Sequence, residues 1–238
     1  METEKKSNND FITIASHQLR TPLTAIKWYA DILLSEKSGG LNTQQREFIL
    51  EVYHANERMV RLVDNLLIVE QAERGQLPIV ARSTSISDLV NSVIKEYSTL
   101  AKVNRIALIA HCDDHSIPMI KVDPIYMRVA VKNLLDNALR YTLRGGSVTV
   151  VCALEDDKLT ISISDTGIGI STEDQARIFT KFFRSEKSQE MQSDGSGLGL
   201  YIAKVIIEHN GGKLWFESIV QGTVFNIQFN IESKDQTL

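Results

Sequence analysis

The sequence predicts a protein in two parts, in which an antiparallel helical hairpin precedes a domain that mixes helices with strands. Between Phe11 and Val69, apolar residues recur in alternating steps of three and four, which is typical of helices that pack along other helices. Beyond Pro78, short segments alternate apolar and polar residues, as strands with one buried face do. The predicted fold class is therefore α plus α/β, with the hairpin in residues 1–78 and the second domain in residues 79–238.

The two helices of the hairpin carry more apolar surface than they can bury against each other. The break SEKSGGLN separates them, and the stretch from Gly75 to Pro78 ends the second. Apolar residues beside the seams, such as Val63 and Leu67, widen both stripes, so we expect a homodimer that forms a four-helix bundle. Alternatively, the rest of the chain covers the apolar surfaces of these two helices. The seam residues are Ile12, Ser16, Leu19, Leu23, Ile26, Ala30 and Leu33, followed by Phe48, Val52, Ala55, Met59, Leu62, Leu66 and Val69.

The second domain is predicted to contain five strands and four helices, with a polar run that joins two of the helices. The clearest strand has Leu159, Ile161 and Ile163 on one face. The predicted strands are Ile106–Ala110, Ser147–Leu154, Leu159–Asp165, Lys213–Ser218 and Thr223–Asn230. The predicted helices are Ser87–Val103, Pro124–Thr142, Thr172–Phe179 and Leu198–Glu208. The polar run Arg184–Ser196 is expected to be a mobile loop.

Composition and charge exclude several classes of protein. With 26 basic and 30 acidic residues the net charge is -4, and no basic run could follow a phosphate backbone, so we expect no nucleic-acid partner. Cys112 and Cys152 lie far apart in the chain, so neither a disulfide nor a zinc site is predicted, which suits a reducing cytoplasm. The polar start and the lack of a long apolar run predict a cytoplasmic chain, attached to a membrane only through a sensor segment that this chain lacks.

One histidine stands out on the first helix. His17 follows the seam residue Ser16 and therefore turns away from the seam, so we expect it to be accessible. Pro22 removes the helical hydrogen bond to the carbonyl of Gln18 and loosens the helix there. Thr21 shares the face of His17. An accessible imidazole with an ordinary pKa is largely neutral at pH 7 and can act as a nucleophile.

A stripe of four polar side chains follows the helix start at Asp123 and Pro124. It consists of Asn133, Asn137, Arg140 and Tyr141. Amide oxygens suit Mg²⁺, a guanidinium suits phosphate, and a tyrosine ring offers a surface on which a base can stack. A buried structural network could use the two asparagines but would gain nothing from the arginine. The stripe therefore favours a site that holds a nucleotide together with Mg²⁺.

Two glycine-rich segments complete the candidate site. In SDTGIGI, Asp165 ends a strand, and Gly167 and Gly169 allow a tight turn. A carboxylate there can accept a hydrogen bond from the exocyclic amine of adenine. In DGSGLGL, glycines open a helix whose first N–H groups can bind phosphate; they are Gly195, Gly197 and Gly199. No Lys-Ser or Lys-Thr pair follows them and no strand leads into them, so they form neither a P-loop nor a dinucleotide-binding fingerprint.

These motifs, in this order, resemble the bacterial sensor histidine kinases of two-component systems. SHQLRTPL resembles their phosphoacceptor box, and the segments around Asn137, Asp165, IFTKFFRS and Gly197 resemble their N, G1, F and G2 boxes. The resemblance implies that the hairpin is a dimerisation and phosphotransfer domain and that the second domain is an α/β sandwich of the Bergerat (GHKL) type that binds ATP and Mg²⁺. It also implies that His17 is phosphorylated and passes the phosphoryl group to the receiver domain of a response regulator, with possible phosphatase activity on that regulator.

The resemblance also assigns roles to single residues. His17 corresponds to the phosphoacceptor and Thr21 to the position linked to dephosphorylation of the regulator. Gln18 stands where the family usually has Glu or Asp as a base; an amide cannot take a proton, so autophosphorylation is expected to be slower or to rely on water. The implied nucleotide-binding residues are Asn133, Asn137, Arg140, Tyr141, Asp165, Gly167, Gly169, Phe182, Gly195, Gly197, Leu198, Gly199 and Thr223, and Asn137 is also the implied metal ligand.

Two other functions compete with this interpretation. ATPases of the chaperone and mismatch-repair type resemble the N box, but they carry a glutamate four residues before the metal-binding asparagine. Asn133 occupies that position here, so hydrolysis would lack its base. A dimeric signalling module that binds ATP without phosphorylating remains open, because Gln18 replaces the usual carboxylate.

Overall fold

The computed structural model describes residues 2–35, 39–112, 117–192, 195–218 and 221–231, apart from the side chains of residues 2–13 and His17. The chain divides into two compact units, Met1–Leu77 and Pro78–Leu238. Within the described residues, no helix is both long enough and apolar enough to cross a membrane.

The first unit is a hairpin of two long helices. Helix α1 spans Glu2–Leu34 and contains Pro22, and helix α2 spans Thr43–Glu73. Asn42 and Gln45 form a capping box, in which each side chain bonds the other's backbone N–H, and this fixes where α2 begins. Ion pairs join Arg20 to Asp64 and Lys27 to Glu57, so the two helices run antiparallel.

Only part of the predicted seams is buried inside this hairpin. On α1 the buried residues are Ser16, Leu23 and Ala30, which recur every seven residues. Leu19, which was expected to point into the bundle, is 50% exposed. The helix therefore presents one flank of its stripe to α2 and leaves the other flank uncovered. The exposed apolar residues of the two seams are Leu19, Ile26, Leu33, Phe48, Val52, Met59 and Leu62.

The second unit is built on a five-stranded sheet covered by helices on one face. The strand order is β2-β4-β5-β7-β6, with β2 and β4 parallel and the other neighbours antiparallel. Leu159, Ile161 and Ile163 of β5 are fully buried, and helices pack against β2, β5 and β6. The elements are β1 Arg82–Thr84, α3 Ile86–Val103, β2 Ala107–His111, β3 Ile120–Val122, α4 Pro124–Tyr141, β4 Ser147–Glu155, β5 Lys158–Asp165, α5 Glu186–Met191, α6 Gly199–His209, β6 Lys213–Ser218 and β7 Thr223–Asn230.

The elements agree with the predicted ones at most positions, with three differences. The antiparallel pair β1 and β3 was not predicted, because each strand has only three residues. The helix predicted at Thr172–Phe179 is wrong: successive turns replace it, with hydrogen bonds from Asp174 N to Ser171 O and from Arg177 N to Asp174 O. The run Arg184–Ser196, expected to be a loop, contains α5, which Ser185 caps.

The prediction that the cysteines stay apart is also wrong. Strands β2 and β4 pair in parallel with His111 opposite Val151, and the residue that follows each of these two is a cysteine. The Cα atoms of Cys112 and Cys152 lie 4.7 Å apart, both side chains are buried, and a disulfide joins them. Forty residues separate the two cysteines along the chain, and only the strand pairing makes them neighbours.

Candidate functional site

Helix α4 carries the predicted polar stripe, and its start is firmly held. The Asp123 carboxylate accepts hydrogen bonds from the N–H groups of Ile125 and Tyr126, which caps the helix. Its other oxygen accepts from Val80 N, and the Asp123 N–H donates to Asn210 Oδ1. These bonds fix the position of α4, and with it the position of the stripe, on the sheet.

The four stripe residues are all half-buried on one side of α4. The Asn133 amide nitrogen donates to Val129 O at 3.0 Å, which leaves its oxygen facing away from its own helix. Arg140 pairs with Asp136 one turn earlier, with 3.1 Å between nitrogen and oxygen. The helix therefore presents an amide oxygen and a guanidinium along one line, as a phosphate-metal site requires.

The G1 turn closes directly against the end of α4. Ile168 N donates to the carbonyl oxygen of Tyr141 at 3.2 Å. A Cβ placed on Gly167 would lie 2.3 Å from that same oxygen, so no larger residue fits without moving the backbone. The structure thus brings together Tyr141 and Gly167, which the sequence analysis placed in one site from two separate motifs.

Asp165 is a buried carboxyl at the end of β5. It is 6% exposed and accepts hydrogen bonds from the N–H groups of Gly167 and Thr223. Burial raises the pKa of Asp165 to about 6, although both hydrogen bonds act in the opposite direction. Above that pH the group is a carboxylate, which can accept a hydrogen bond from an amine on a ligand.

Strand β7 supplies the other wall beside this carboxyl. Thr223 lies opposite Asp165 in the strand register, so these two predicted site residues are neighbours. Gly222 adopts a φ of +113°, and a Cβ there would lie 2.1 Å from the Asp165 carbonyl oxygen. The sequence analysis did not include Gly222, although its position just before Thr223 in the segment QGT was a signal for a tight backbone approach.

The G2 glycines allow close contacts with two other parts of the site. Gly197 has a φ of +68°, and a Cβ there would lie 2.6 Å from the Phe182 carbonyl carbon. A Cβ on Gly199 would lie 3.0 Å from Asn133 Oδ1. Helix α6 begins at Gly199, and the side chain of its N-cap residue, Leu198, forms no capping hydrogen bond. This helix start, beside the Asn133 amide, can therefore bind an anion.

The polar segment between the F and G2 boxes is organised by Arg184. Its guanidinium donates to the carbonyl oxygens of Ser188, Gln192 and Gly195. The sequence analysis did not single out Arg184; the only available signal was its place at the end of the F box. Residues 193 and 194 lie outside the described residues. Among its described residues, the segment contains α5 and non-regular backbone on either side, and Arg184 bonds to carbonyl groups of both.

Two of the predicted nucleotide-binding residues, Leu198 and Phe182, differ in exposure from the half-buried residues of the stripe. Leu198 is fully buried in the domain core, so only its backbone could contact a ligand. Phe182 has a φ of +62° and is 61% exposed. Gly169, with a φ of +66°, lies in the G1 turn as expected, and Gly195 lies beside Arg184.

The predicted phosphoacceptor segment lies in α1. Gln18 and Thr21 are exposed on this helix, and Pro22 is exposed within it. The backbone of His17 is helical, but its side chain, and with it the predicted accessibility of its imidazole, lies outside the described residues.

The donor set of the second unit limits which cation it could hold. Within the described residues there is no group of three His, Cys, Asp or Glu side chains that could enclose a metal ion. Mg²⁺, however, commonly takes one or two protein oxygens and completes its shell with phosphates and water. The amide oxygens on α4 fit such a role, and the oxygen of Asn133 already faces the start of α6.

Comparison with known proteins decides the family. Residues 7–75 match the His Kinase A (phospho-acceptor) domain, and residues 122–233 match the histidine kinase-, DNA gyrase B-, and HSP90-like ATPase domain. The chain belongs to the histidine kinases. It contains the two domains of a sensor histidine kinase catalytic core, and this confirms the predicted fold class.

Curated relatives and solved structures agree with this assignment. This histidine kinase is 32% identical over 93% of its length to the circadian input-output histidine kinase CikA of Synechococcus elongatus. It is 29% identical over 99% of its length to the sensor histidine kinase WalK of Bacillus subtilis. The alignments cover 30% of CikA and 38% of WalK, so the kinase spans about a third of the length of these relatives.

Among solved structures, the kinase resembles full-length ShkA, which was crystallised in complex with AMPPNP. The TM-score is 0.73 at 24% identity, and the match covers 92% of this chain and 45% of ShkA. At this identity the comparison supports the fold alone.

Proposed function

We propose that this histidine kinase transfers the γ-phosphoryl group of ATP to His17 and then to an aspartate of a response regulator receiver domain. The observation that carries the proposal is the buried Asp165 carboxyl, which lies beside the Gly167 turn and the end of α4 in a chain that also has a phosphoacceptor domain. Residues 1–78 would form the dimerisation and phosphotransfer domain, and residues 79–238 the ATP-binding domain.

Each part of the nucleotide would meet a different part of the second unit. Asp165 would accept a hydrogen bond from the adenine amine, and the Tyr141 ring would stack on the base. The N–H groups that open α6 and the Arg140 guanidinium would bind the phosphates, the guanidinium by releasing Asp136. Asn137 would hold the metal with support from Asn133. The other proposed contacts are Gly167, Gly169, Phe182, Gly195, Gly197, Leu198, Gly199 and Thr223.

The transfer itself needs little covalent chemistry from the protein. A neutral imidazole nitrogen of His17 attacks the γ-phosphorus in line, the bond from phosphorus to the bridging oxygen breaks, and ADP leaves. Bound Mg²⁺ would neutralise charge on the phosphates. The proton of the other imidazole nitrogen must reach water, because the neighbouring Gln18 amide cannot accept it. We therefore expect Gln18 to orient the ring and Thr21 to serve the dephosphorylation of the regulator.

The partners follow from the exposed surfaces of the hairpin. The exposed apolar seam of the first unit is the surface on which a second copy would complete a four-helix bundle. The receiver domain would dock on the hairpin face that carries Gln18 and Thr21. We place the kinase in the cytoplasm, with any membrane attachment through a sensor segment outside this chain.

The direct test is incubation of the purified chain with γ-labelled ATP and Mg²⁺. We expect an acid-labile, base-stable label that disappears in His17→Gln and persists in His54→Gln, since His54 is an exposed histidine of α2. A label that remains in His17→Gln would overturn the assignment of the phosphoacceptor.

One competing function retains support from a specific observation. Because Gln18 replaces the usual carboxylate, the chain could bind ATP without phosphorylating, and this would appear as ATP binding with no label on His17. Hydrolysis in the manner of the related ATPases is disfavoured, because the residue in place of their glutamate is Asn133, whose amide nitrogen is bonded to Val129 O.

A further inference from the structure

Helix α2 buries one asparagine in the core of the hairpin. Asn56 is 1% exposed, and Val63 lies seven residues later on the same buried stripe. A side-chain amide in this position must lose its contacts with water when the hairpin forms. The amide must therefore form hydrogen bonds within the protein, or its burial lowers the stability of the hairpin.

The amide of Asn56 is only half satisfied. Its nitrogen donates to the main-chain carbonyl of Leu23 on α1, at 2.9 Å. Its oxygen is buried and has no hydrogen-bond partner among the described residues. A leucine of similar size would fill the same space without an unpaired oxygen, so Asn56 gives the hairpin less stability than an apolar residue could.

The bond from Asn56 reaches α1 at its one proline break. Pro22 has no N–H, so the carbonyl of Gln18 loses its helical partner, although α1 continues through this point. Leu23 follows the proline directly. The Asn56 bond therefore attaches the main chain of α1 to α2 where the helix is least held by its own hydrogen bonds.

Two ion pairs that also link the helices are less suited to fixing their register. Arg20 pairs with Asp64 and Lys27 with Glu57, and the side chains of the first pair are 42% and 47% exposed. Exposed pairs between long side chains are weak and adaptable. A short, buried amide bound to a main-chain carbonyl permits only one alignment, as a buried asparagine does in a coiled coil.

We propose that Asn56 is a positioning residue for phosphotransfer, which holds α1 in register at the Pro22 break and so orients His17. Leu23 lies six residues beyond His17, about 9 Å along the helix, so a rotation at the break would carry the phosphoacceptor face with it. This inference rests on the proposed function of His17.

The test compares Asn56→Leu with the unchanged chain. We expect the rate constant for labelling His17 to fall about tenfold while the KM for ATP stays the same, because the nucleotide site lies in the other unit. We also expect unfolding of the hairpin at an equal or higher temperature. Trp28 in α1 can report this unfolding in a Trp215→Phe background, since these are the two tryptophans of the chain.

A double-mutant cycle locates the effect at the proline. Pro22→Ala restores the missing N–H. In the Pro22→Ala background, Asn56→Leu should therefore lower the rate constant for labelling His17 by less than the tenfold expected in the unchanged chain. Val63→Ala is the matched control from the same buried stripe. It should lower the unfolding temperature but leave the rate constant within about twofold.

Each of the other outcomes bears on the role of Asn56 or on the proposed function. If the unchanged chain labels and Asn56→Leu labels equally fast, or if the two substitutions are additive, this inference fails and the proposed function stands. If Asn56→Leu loses rate only in proportion to lost stability, Asn56 is merely structural. If the unchanged chain acquires no label on His17, the proposed function fails and this inference fails with it.

Discussion

A Cβ on Gly167 would lie 2.3 Å from the carbonyl oxygen of Tyr141. The turn after β5 is thus in direct contact with the end of α4. This contact places the residues proposed to bind adenine beside those proposed to bind phosphate, so that they form one site. Since the Tyr141 oxygen belongs to the main chain, no side-chain rotation could relieve a clash with a Cβ at Gly167.

Gly167→Ala should therefore disrupt this contact. We expect a loss of about 2 kcal/mol in the unfolding free energy of the second unit, typical of overpacking, and weaker ATP binding. Denaturation with and without ATP measures both. Gly40→Ala is the control, because a Cβ at Gly40 has nothing within 4 Å. Equal behaviour of the two variants would contradict the proposed contact.

ATP affinity should depend on the protonation of Asp165. Burial raises the pKa of this carboxyl to about 6, and the carboxylate accepts a hydrogen bond from an adenine amine more strongly than the neutral acid does. Affinity should therefore fall as the pH drops from 7.5 through 6, and calorimetric titration at several pH values would show it. Asp165→Asn should bind ATP weakly and without this pH dependence.

The same carboxyl should affect stability in the opposite sense. Its pKa is higher in the folded chain than in the unfolded chain, so the folded state binds more protons between about pH 4 and 6. The contribution of Asp165 to stability therefore falls as the pH rises through this window. Without nucleotide at pH 7.5, Asp165→Asn should unfold at a higher temperature than the unchanged chain, and this difference should shrink at pH 4.5.

Gln18→Glu should accelerate autophosphorylation. A carboxylate beside His17 can take the imidazole proton that the amide cannot, and a positioned base commonly contributes a factor of about 100 or more. We expect at least a tenfold rise in the initial labelling rate, with His17→Gln,Gln18→Glu remaining unlabelled. An unchanged rate would mean that proton transfer does not limit the reaction.

Arg184→Ala should weaken the hold on bound nucleotide. The guanidinium joins the carbonyl oxygens of Ser188, Gln192 and Gly195, so its loss should free the segment between the F and G2 boxes. We expect a several-fold higher KM for ATP and faster proteolysis of this segment. Lys187→Ala, an exposed change on α5, is the control and should alter neither.

Charge on the exposed seam should separate the proposed dimer. Leu19 and Met59 are about half exposed in the single chain and would be buried by a second copy. Leu19→Glu with Met59→Glu should convert the protein to a species of 26.7 kDa in light scattering. Gln44→Glu, at an exposed polar position of α2, should leave the mass unchanged. A wild-type mass of 26.7 kDa would contradict the proposed dimer.

Elements whose signals are local could be predicted from the order of the residues alone. Capping residues at Asp123, alternation in β5 and the glycines of the G1 and G2 boxes predicted where helices, strands and tight turns occur, because each depends on neighbours in the chain. The seven-residue repeat of α1 likewise predicted a helix packed along another helix.

Which of these residues meet is set by the tertiary structure. It joined Cys112 to Cys152 through strand pairing and placed Gly222 against Asp165. It divided the α1 seam into buried Ser16 and Leu23 and exposed Leu19, and it buried Asn56 against the Leu23 carbonyl. Such contacts join residues far apart in the chain, and their cost or benefit arises only after folding removes water from both partners.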